Sequence, residues 1–232
     1  MSPLRFTGKT HRLIASRFPT IGVFDDIIEN EDEARIAFEL EAMTNGRLEA
    51  GARLHLLPEG GVATGPTASI AMAAFLHCGD EGGRFNHSDL GAWYAAASVE
   101  TAIEETVYHN ERRLRASAAG FPNRIQMREL VVSLDLELTD LLTDAGAYPE
   151  LYLHNDYTQS QAYARRIRWP FANDGTDGIV YQSVRHEGGV NVCIFRPTAL
   201  PLPIVQGTHY EYVWDAHGKL TVLSLTAVER RA

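Results

Sequence analysis

Residues 93–109 read WYAAASVETAIEETVYH, and within this stretch the pattern changes from that of a strand to that of a helix. The run Trp93–Ala96 is short and apolar, as expected of a buried strand. Ser98 can accept a hydrogen bond from the free backbone amides at the start of a helix, which we expect to run to about Ala118. The stretch therefore predicts a strand, a tight junction and a helix that carries Glu105.

The predicted helix places three polar side chains on one face. Thr101, Glu105 and His109 follow one another at intervals of four residues, whereas Glu104 points elsewhere, toward solvent. A partly buried carboxylate such as Glu105 needs a partner or a chemical task. Two interpretations stay open at this point: a functional carboxylate, or a Glu–His pair on an ordinary helix.

Upstream of this junction the sequence predicts two helices. Asn30 can cap a helix with an acidic first turn, and Asn45-Gly46 can end it. A small apolar run predicts a second, buried helix over Thr67–His77, which the glycines of residues 79–83 then interrupt. The inner side of the first helix is predicted from Ala34, Phe38 and Met43.

Downstream the sequence predicts mostly strands, separated by Gly, Pro and Asn turns. We expect one helix among them, over Gln159–Ile167. Early helices and late strands indicate an α+β fold, a single domain of residues 1–232 with a central mixed or antiparallel sheet flanked by helices. The predicted strands are Ile125–Leu138, Gly178–Val184, Val190–Phe195, Pro203–Gln206, Tyr210–Trp214 and Leu220–Leu225.

The charge balance argues against direct binding of nucleic acid. With 30 acidic and 21 basic residues the formal net charge is −9, whereas a chain that neutralises phosphates needs an excess of Lys and Arg. Two local arginine clusters stand out, and each is either a solvated helix face or a receiver of an acidic ligand. The clusters are Arg112, Arg113 and Arg115, and Arg165, Arg166 and Arg168.

Cysteine usage and hydropathy favour a cytoplasmic protein. Cys78 and Cys193 are too few for a disulfide framework, and we expect both to be small core residues without a chemical role. The first residues lack the apolar region of a signal peptide. The longest nearly apolar run, Ala68–Phe75, is too short to cross a membrane.

The common catalytic motifs are missing from the chain. There is no G-x-x-x-x-G-K-[ST], no G-x-G-x-x-G between strand and helix, no H-E-x-x-H and no G-x-S-x-G. The His and Cys residues form no ligand set, so we expect no metal.

Two further segments contain candidate side chains. Gly82–Asn86 places Arg84 after a flexible turn, where it either binds a phosphate or is satisfied by a nearby carbonyl. Ser183 ends the strand that begins at Gly178, and Tyr94 lies in the WYAA strand. Taken alone, Ser183 and Tyr94 are each more often structural than functional.

The order of these segments resembles the RES domain, a family named for an Arg, a Glu and a Ser. The resemblance rests on GGRFN at 82–86, WYAA at 93–96, the Glu105 helix, GIVYQSVR at 178–185 and GGVNVCIFRP at 188–197. It extends from HRLI at 11–14 and SRFP at 16–19, through YTQSQ at 157–161, to about Trp214.

Carried over by motif, the family residues fall on Arg84, Glu105 and Ser183, with His109 following Glu105 as in many relatives. Phe85 stands where the family frequently has Trp. Arg12 and Arg17 both match an early family Arg, and Arg12 is the preferred match. The resemblance implies a core at 67–215 and an N-terminal elaboration at 1–66.

The resemblance implies an NAD+-consuming toxin similar to the ADP-ribosylating toxins and held inactive by a cognate antitoxin, an Xre-like DNA-binding protein. Arg84, Glu105, His109 and Ser183 would be catalytic. The acceptor of ADP-ribose stays open between water, phosphate and a protein, such as an enzyme of nucleotide metabolism. The rivals are a binding module that has lost catalysis and a metabolic glycosidase. The implied NAD+-binding residues are Arg12, Arg84, Asn86, Tyr94, Ser183 and Asn191.

Overall fold

The computed structural model of the protein describes residues 3–18, 25, 28–44, 48–143 and 145–226. In these ranges seven strands form one mixed sheet, accompanied by five α-helices. The strands are β1 Pro3–Ala15, β2 Trp93–Ala96, β3 Asn123–Leu141, β4 Gly178–Gln182, β5 Val190–Ile194, β6 Val205–Trp214 and β7 Leu220–Leu225. The helices are α1 Glu31–Thr44, α2 Leu48–Leu54, α3 Ala68–Leu76, α4 Val99–Arg115 and α5 Thr158–Ile167, with short 3-10 helices at Ala145–Ala147, Pro149–Tyr152 and Pro197–Ala199.

The sheet has the strand order β1-β2-β5-β4-β3-β6-β7. The β3–β4 pair is parallel and the other pairs are antiparallel. Because β1 also pairs with β3, the five strands β1, β2, β5, β4 and β3 form a closed ring of hydrogen-bonded neighbours. These elements confirm the predicted α+β fold with a mixed sheet flanked by helices.

Strand β1 was not foreseen from the sequence, yet it pairs with β3 along its whole length, from Pro3 opposite Thr139 to Ala15 opposite Met127. It meets β2 at one residue pair, His11 opposite Ala96.

The sheet buries both of its faces. On the first, which we call the α1–α3 face, Trp93 and Val180 pack among side chains of α1, α2 and α3. On the second, the α4–α5 face, Ala96 packs with Ala102 of α4, and Tyr181 belongs to a cluster with Ala164 of α5. The alternation of strand side chains thus supplies two cores and places α4 directly over β2.

The junction between β2 and α4 has the predicted form. The Ser98 Oγ accepts a hydrogen bond from the Thr101 amide at 3.2 Å, which satisfies one of the free donors at the helix start. Glu104 is exposed and Glu105 is half-buried. The helix ends at Arg115, three residues before the predicted end at Ala118.

Two strand and helix predictions need correction. The predicted strands Pro203–Gln206 and Tyr210–Trp214 merge into one strand, β6, which begins only at Val205 and stays paired with β3 across a shift in register between Arg128 and Leu130. In α1, Ala34 is buried and Phe38 packs against the core, but Met43 is 71% exposed, so its assignment to the inner side was wrong. The predicted end of this helix at Asn45-Gly46 lies outside the described residues.

Arg168 was wrongly grouped with solvated helix residues. It follows the last residue of α5 and is 1% exposed. Its Nη1 donates to the Leu90 carbonyl at 3.2 Å and its Nη2 to the Gly91 carbonyl at 3.0 Å. The backbone leaves the helical path at this residue, so the side chain turns into the core and ties α5 to the start of β2.

The cysteines also differ from each other. Cys193 is buried as predicted, whereas Cys78 is only partly buried and lines a cavity, so the prediction of a core position was wrong for Cys78. Within the described part of the chain, no helix is both long and apolar enough to span a bilayer.

Candidate active site

A cavity of about 350 Å³ lies between β1, β2, α3, α4 and the turn at residues 79–86. This volume is at the lower end of the range typical of small-molecule sites. Ser183 is not on its wall but contacts Glu105, which is. Seven of the residues predicted from the sequence line the cavity, namely Arg12, Arg84, Asn86, Tyr94, Glu105, His109 and Asn191.

The Glu105 carboxylate is held through one of its two oxygens. Ser183 Oγ and Asn191 Nδ2 each donate a hydrogen bond to Glu105 Oε1 at 2.7 Å. Hydrogen bonds to an ionised carboxylate are stronger than those between neutral groups, so this geometry fixes the group firmly. The second oxygen, Oε2, has no hydrogen-bond partner among the described residues and remains available to a ligand.

The Ser183 hydroxyl is fully used within the protein. Besides donating to Glu105, its oxygen accepts hydrogen bonds from the amides of Arg185 at 3.1 Å and His186 at 3.0 Å. A hydroxyl has one hydrogen to donate and two lone pairs, and all three are engaged. Of the two roles open to this hydroxyl, fixing Glu105 or contacting a ligand, this geometry favours the first.

The turn that carries Arg84 depends on glycine and on Tyr94. Gly82 has φ +69°, and a Cβ there would lie 2.2 Å from the Asn86 carbonyl oxygen. The Tyr94 hydroxyl accepts a hydrogen bond from the Phe85 amide at 2.9 Å and donates one to Asn86 Oδ1 at 2.8 Å. Asn86 and Tyr94 therefore hold the turn that presents the arginine.

Arg84 is 6% exposed and contacts no carboxylate within ion-pair distance in the described ranges. Its Nη1 donates to the carbonyls of Leu151 at 2.8 Å and Leu153 at 3.0 Å, and its guanidinium lies 4.8 Å from the Tyr157 ring centroid. No described residue accepts from its Nε or Nη2. The charge is therefore positioned at the cavity wall without an anionic partner among the described residues.

Arg12 supplies a second cation to the wall, whereas Arg17 is exposed beside Phe18 and lies off the cavity. The Arg12 Nη1 donates to the Tyr94 carbonyl at 2.9 Å, and the guanidinium lies 4.9 Å from the Trp93 ring. Removal from water lowers the pKa of Arg12 to about 10, so it is still charged at neutral pH. Two guanidinium groups beside one cavity favour an anionic ligand.

His109 lies one helical turn after Glu105 and lines the same cavity. Its surface reaches solvent, but desolvation by the surrounding walls lowers its pKa below 6.5, and this outweighs the effect of Glu105, which raises it. Among the described residues, no hydrogen bond joins the two side chains. The interpretation of Glu105 and His109 as a simple pair therefore finds no support in the geometry.

Sequence reasoning assigned no role to four residues around the cavity. Tyr181 lies two residues before Ser183 and lines the wall, and strand alternation could have indicated this. The Tyr157 ring packs against the Arg84 guanidinium. His11 also lines the wall, and its Nδ1 lies 2.5 Å from Glu129 Oε1. No local signal could reveal the last pair, because it joins strands 118 positions apart in sequence.

Fold and site together define an α+β domain in which one cavity is lined by a carboxylate held through one oxygen and by two guanidinium groups. No group of three or more His, Cys, Asp or Glu side chains able to hold a metal occurs in the part of the chain that the structure describes.

The family model described as RES domain matches residues 62–215, and the chain belongs to this family. The uncharacterized protein y4oC of Sinorhizobium fredii (strain NBRC 101917 / NGR234) is 27% identical over 227 residues, which cover 93% of this chain and 86% of that protein. The crystal structure of the M. tuberculosis MbcT–MbcA toxin–antitoxin complex contains a chain that is 15% identical, with a TM-score of 0.43 over 97% of this chain and 87% of that one.

Proposed function

We propose that the protein cleaves NAD+ at the bond between nicotinamide and ribose and transfers the ADP-ribosyl group to an acceptor. The observation that carries this proposal is the Glu105 carboxylate, fixed through Oε1 and open at Oε2. As nicotinamide leaves, the ribose gains oxocarbenium character, and a preorganised carboxylate stabilises that positive charge.

The cations of the cavity fit the other part of the same substrate. The pyrophosphate of NAD+ is an anion, and Arg84 has donors that no described residue accepts from, while Arg12 adds a second charge. Asn86 and Tyr94 act on the substrate mainly through the turn that they hold. Asn191, which is 3% exposed, and Ser183 serve by fixing the carboxylate.

Membership of the RES family extends the proposal to biology. We propose that the protein is the toxin of a toxin–antitoxin pair, acts in the cytoplasm, and is held inactive by an Xre-like antitoxin that binds DNA. The formal charge of −9 fits a pair in which only the antitoxin binds DNA, because the contacts with an operator would then come from the antitoxin.

The decisive experiment compares the protein with its Glu105→Gln and Glu104→Gln variants. Glu104 is the exposed neighbour on the same helix, so the second variant is a matched control for charge. With adenylate-labelled NAD+, the protein and the control should release nicotinamide at similar rates. Glu105→Gln should be slower by about 100-fold or more, as is typical when a preorganised electrostatic contact is lost.

The destination of the label identifies the acceptor: free ADP-ribose, a phosphorylated product, or a labelled protein in cell lysate. Equal rates for Glu105→Gln and the wild type would refute the assigned role of this carboxylate. NAD+ binding without release under any condition would leave a binding module instead. In growing cells, expression without an antitoxin should arrest growth with the wild type and with Glu104→Gln, but not with Glu105→Gln.

A further inference from the structure

A second buried acid–base pair lies at the cavity, outside the Arg84–Glu105–Ser183 set. The residue Glu129 is 6% exposed, and its Oε1 lies 2.5 Å from His11 Nδ1. Its Oε2 accepts a hydrogen bond from the Thr208 amide at 2.7 Å. Both oxygens are thus engaged, and the carboxylate fixes the orientation of the imidazole.

The backbone is shaped around this carboxylate. The register between β3 and β6 shifts between Arg128 and Leu130, which places Glu129 at the irregularity. On the facing strand, a Cβ at Gly207 would lie 2.3 Å from Glu129 Oε2, so a larger residue there would displace the carboxylate. A buried carboxylate needs hydrogen-bond partners to offset its removal from water. One of the partners of Glu129 is the His11 ring, which lines the cavity wall.

His11 and Glu105 line the same cavity, His11 from β1 and Glu105 from α4. His11 is opposite Ala96 in the β1–β2 pair, and Ala96 is opposite Asn191 in the β2–β5 pair, so the three side chains share the α4–α5 face. Asn191 is the residue that holds Glu105. Two strand spacings of about 4.8 Å separate the backbones of His11 and Asn191.

Between His11 and Asn191 lies Ala96 of β2, whose side chain is only a methyl group. Ala102 and Thr106 of α4 line the cavity above it. The arrangement leaves space between a carboxylate on one side and a carboxylate-backed imidazole on the other. Glycosidic cleavage by direct displacement uses such a pair, with the acceptor molecule between the two groups.

We propose that His11, oriented by Glu129, is the base that takes the proton from the acceptor, an O–H compound such as water or a phosphate monoanion. This inference rests on the proposed function. The bond from the ribose C1′ to nicotinamide breaks with its electron pair leaving on nicotinamide, and the acceptor oxygen forms the new bond to C1′. The proton of the acceptor passes to His11 Nε2 and then to solvent.

Geometry favours His11 over His109 for this step. Because Nδ1–H of His11 donates to Glu129, the tautomer with a free lone pair on Nε2 is the stable one, and Nε2 has no partner in the described part of the chain. His109 lies on the same helix as Glu105, one turn away, and no described carboxylate accepts a hydrogen bond from it.

The test uses an acceptor that has no proton to lose. Nicotinamide release by the full-length protein is measured with water alone, with phosphate and with azide, for the wild type and for His11→Gln, Glu129→Gln, His109→Gln and His217→Gln. His217 lies in the exposed turn before β7 and is the matched control. NAD+ affinity and thermal unfolding are recorded for each variant, so that loss of binding or folding is recognised.

We expect His11→Gln to slow release about 100-fold with water or phosphate, within the usual range for loss of a general base. Azide should restore most of this rate, since the anion attacks without deprotonation. Glu129→Gln should show the same pattern, with a smaller loss of the release rate. If His11→Gln does not fold, the Glu129→Gln variant tests the role of His11 in its place. His217→Gln should match the wild type in all three reactions.

The outcomes separate this inference from the proposed function. No nicotinamide release by the wild type would refute the proposed function itself. Release by the wild type together with a wild-type rate for His11→Gln in water and phosphate would overturn the role of His11 alone. The role would also be overturned by a loss that azide does not restore, or by azide-specific restoration in His109→Gln instead.

Discussion

At the scale of single residues, the site is organised around one oxygen of Glu105. Ser183→Ala removes a hydrogen bond to this charged oxygen, which is worth about 1.5–3 kcal/mol, and should lower kcat for nicotinamide release at least tenfold with little change in KM. Ser133→Ala, an exposed serine of β3, is the control. A rise in KM at constant kcat would show instead that Ser183 contacts the substrate.

The titration of His109 is a second test at this scale. Desolvation lowers its pKa below the ordinary 6.5, and Glu105 opposes that shift. By NMR we expect a midpoint below 6.5 in the wild type and a still lower one in Glu105→Gln. Because the unfolded chain binds this proton more readily, His109 makes the free energy of unfolding fall as the pH drops below 6.5. An unchanged or higher midpoint in Glu105→Gln would contradict this account.

The order of the motifs predicted the candidate residues, and the structure brings Arg84, Glu105 and Asn191 to one cavity. The roles of the residues that contact this set, Ser183 and Tyr94, could not be derived from the order of the motifs. Ser183 and Tyr94 were considered as direct ligand contacts, but their hydroxyl groups bond within the protein. Those partners lie in other segments, so only the folded backbone shows them.

At the scale of elements, the segment just before β2 is packed against α3 without spare room. A Cβ at Gly91 would lie 2.2 Å from the Ala74 carbonyl oxygen, and the Gly91 carbonyl accepts a hydrogen bond from the buried Arg168. Gly91→Ala should lower the free energy of unfolding by about 1–3 kcal/mol, the usual range for overpacking. Gly146→Ala, where nothing lies within 4 Å, should be close to neutral. Equal melting temperatures for the two variants would contradict the tight packing.

Elements differ in how far local sequence predicts them. The helix α4 was predictable because its N-cap, Ser98, and the four-residue spacing of the side chains on one face are both local features of the sequence. Strand β1 was missed because its partner, β3, lies more than a hundred residues away and because Gly8 and Lys9 interrupt its apolar pattern. The single strand β6 appeared as two, because the segment around Gly207 that adapts to Glu129 carries a turn-like sequence.

At the scale of the whole molecule, the boundary between the N-terminal part and the core needs an experiment. The family match begins at residue 62, yet β1 pairs with all of the central part of β3 and contributes Arg12 to the cavity. Deleting residues 1–15 should abolish cooperative unfolding and NAD+ binding. The control is deletion of residues 216–232, which removes β7, a mostly exposed edge strand, and should retain both. A folded, NAD+-binding protein without residues 1–15 would instead support the predicted core at 67–215.

The closed pairing of β1 with β3 also has a consequence for biosynthesis. Cavity residues are distributed from His11 to Asn191, and β1 leaves the ribosome long before the strand that it needs. At about 5–20 residues per second, the interval between the two ends of the site is on the order of 10–40 s. A nascent chain that stops short of Asn191 lacks a donor that holds Glu105, so we expect the complete cavity to form only after that residue has been synthesised.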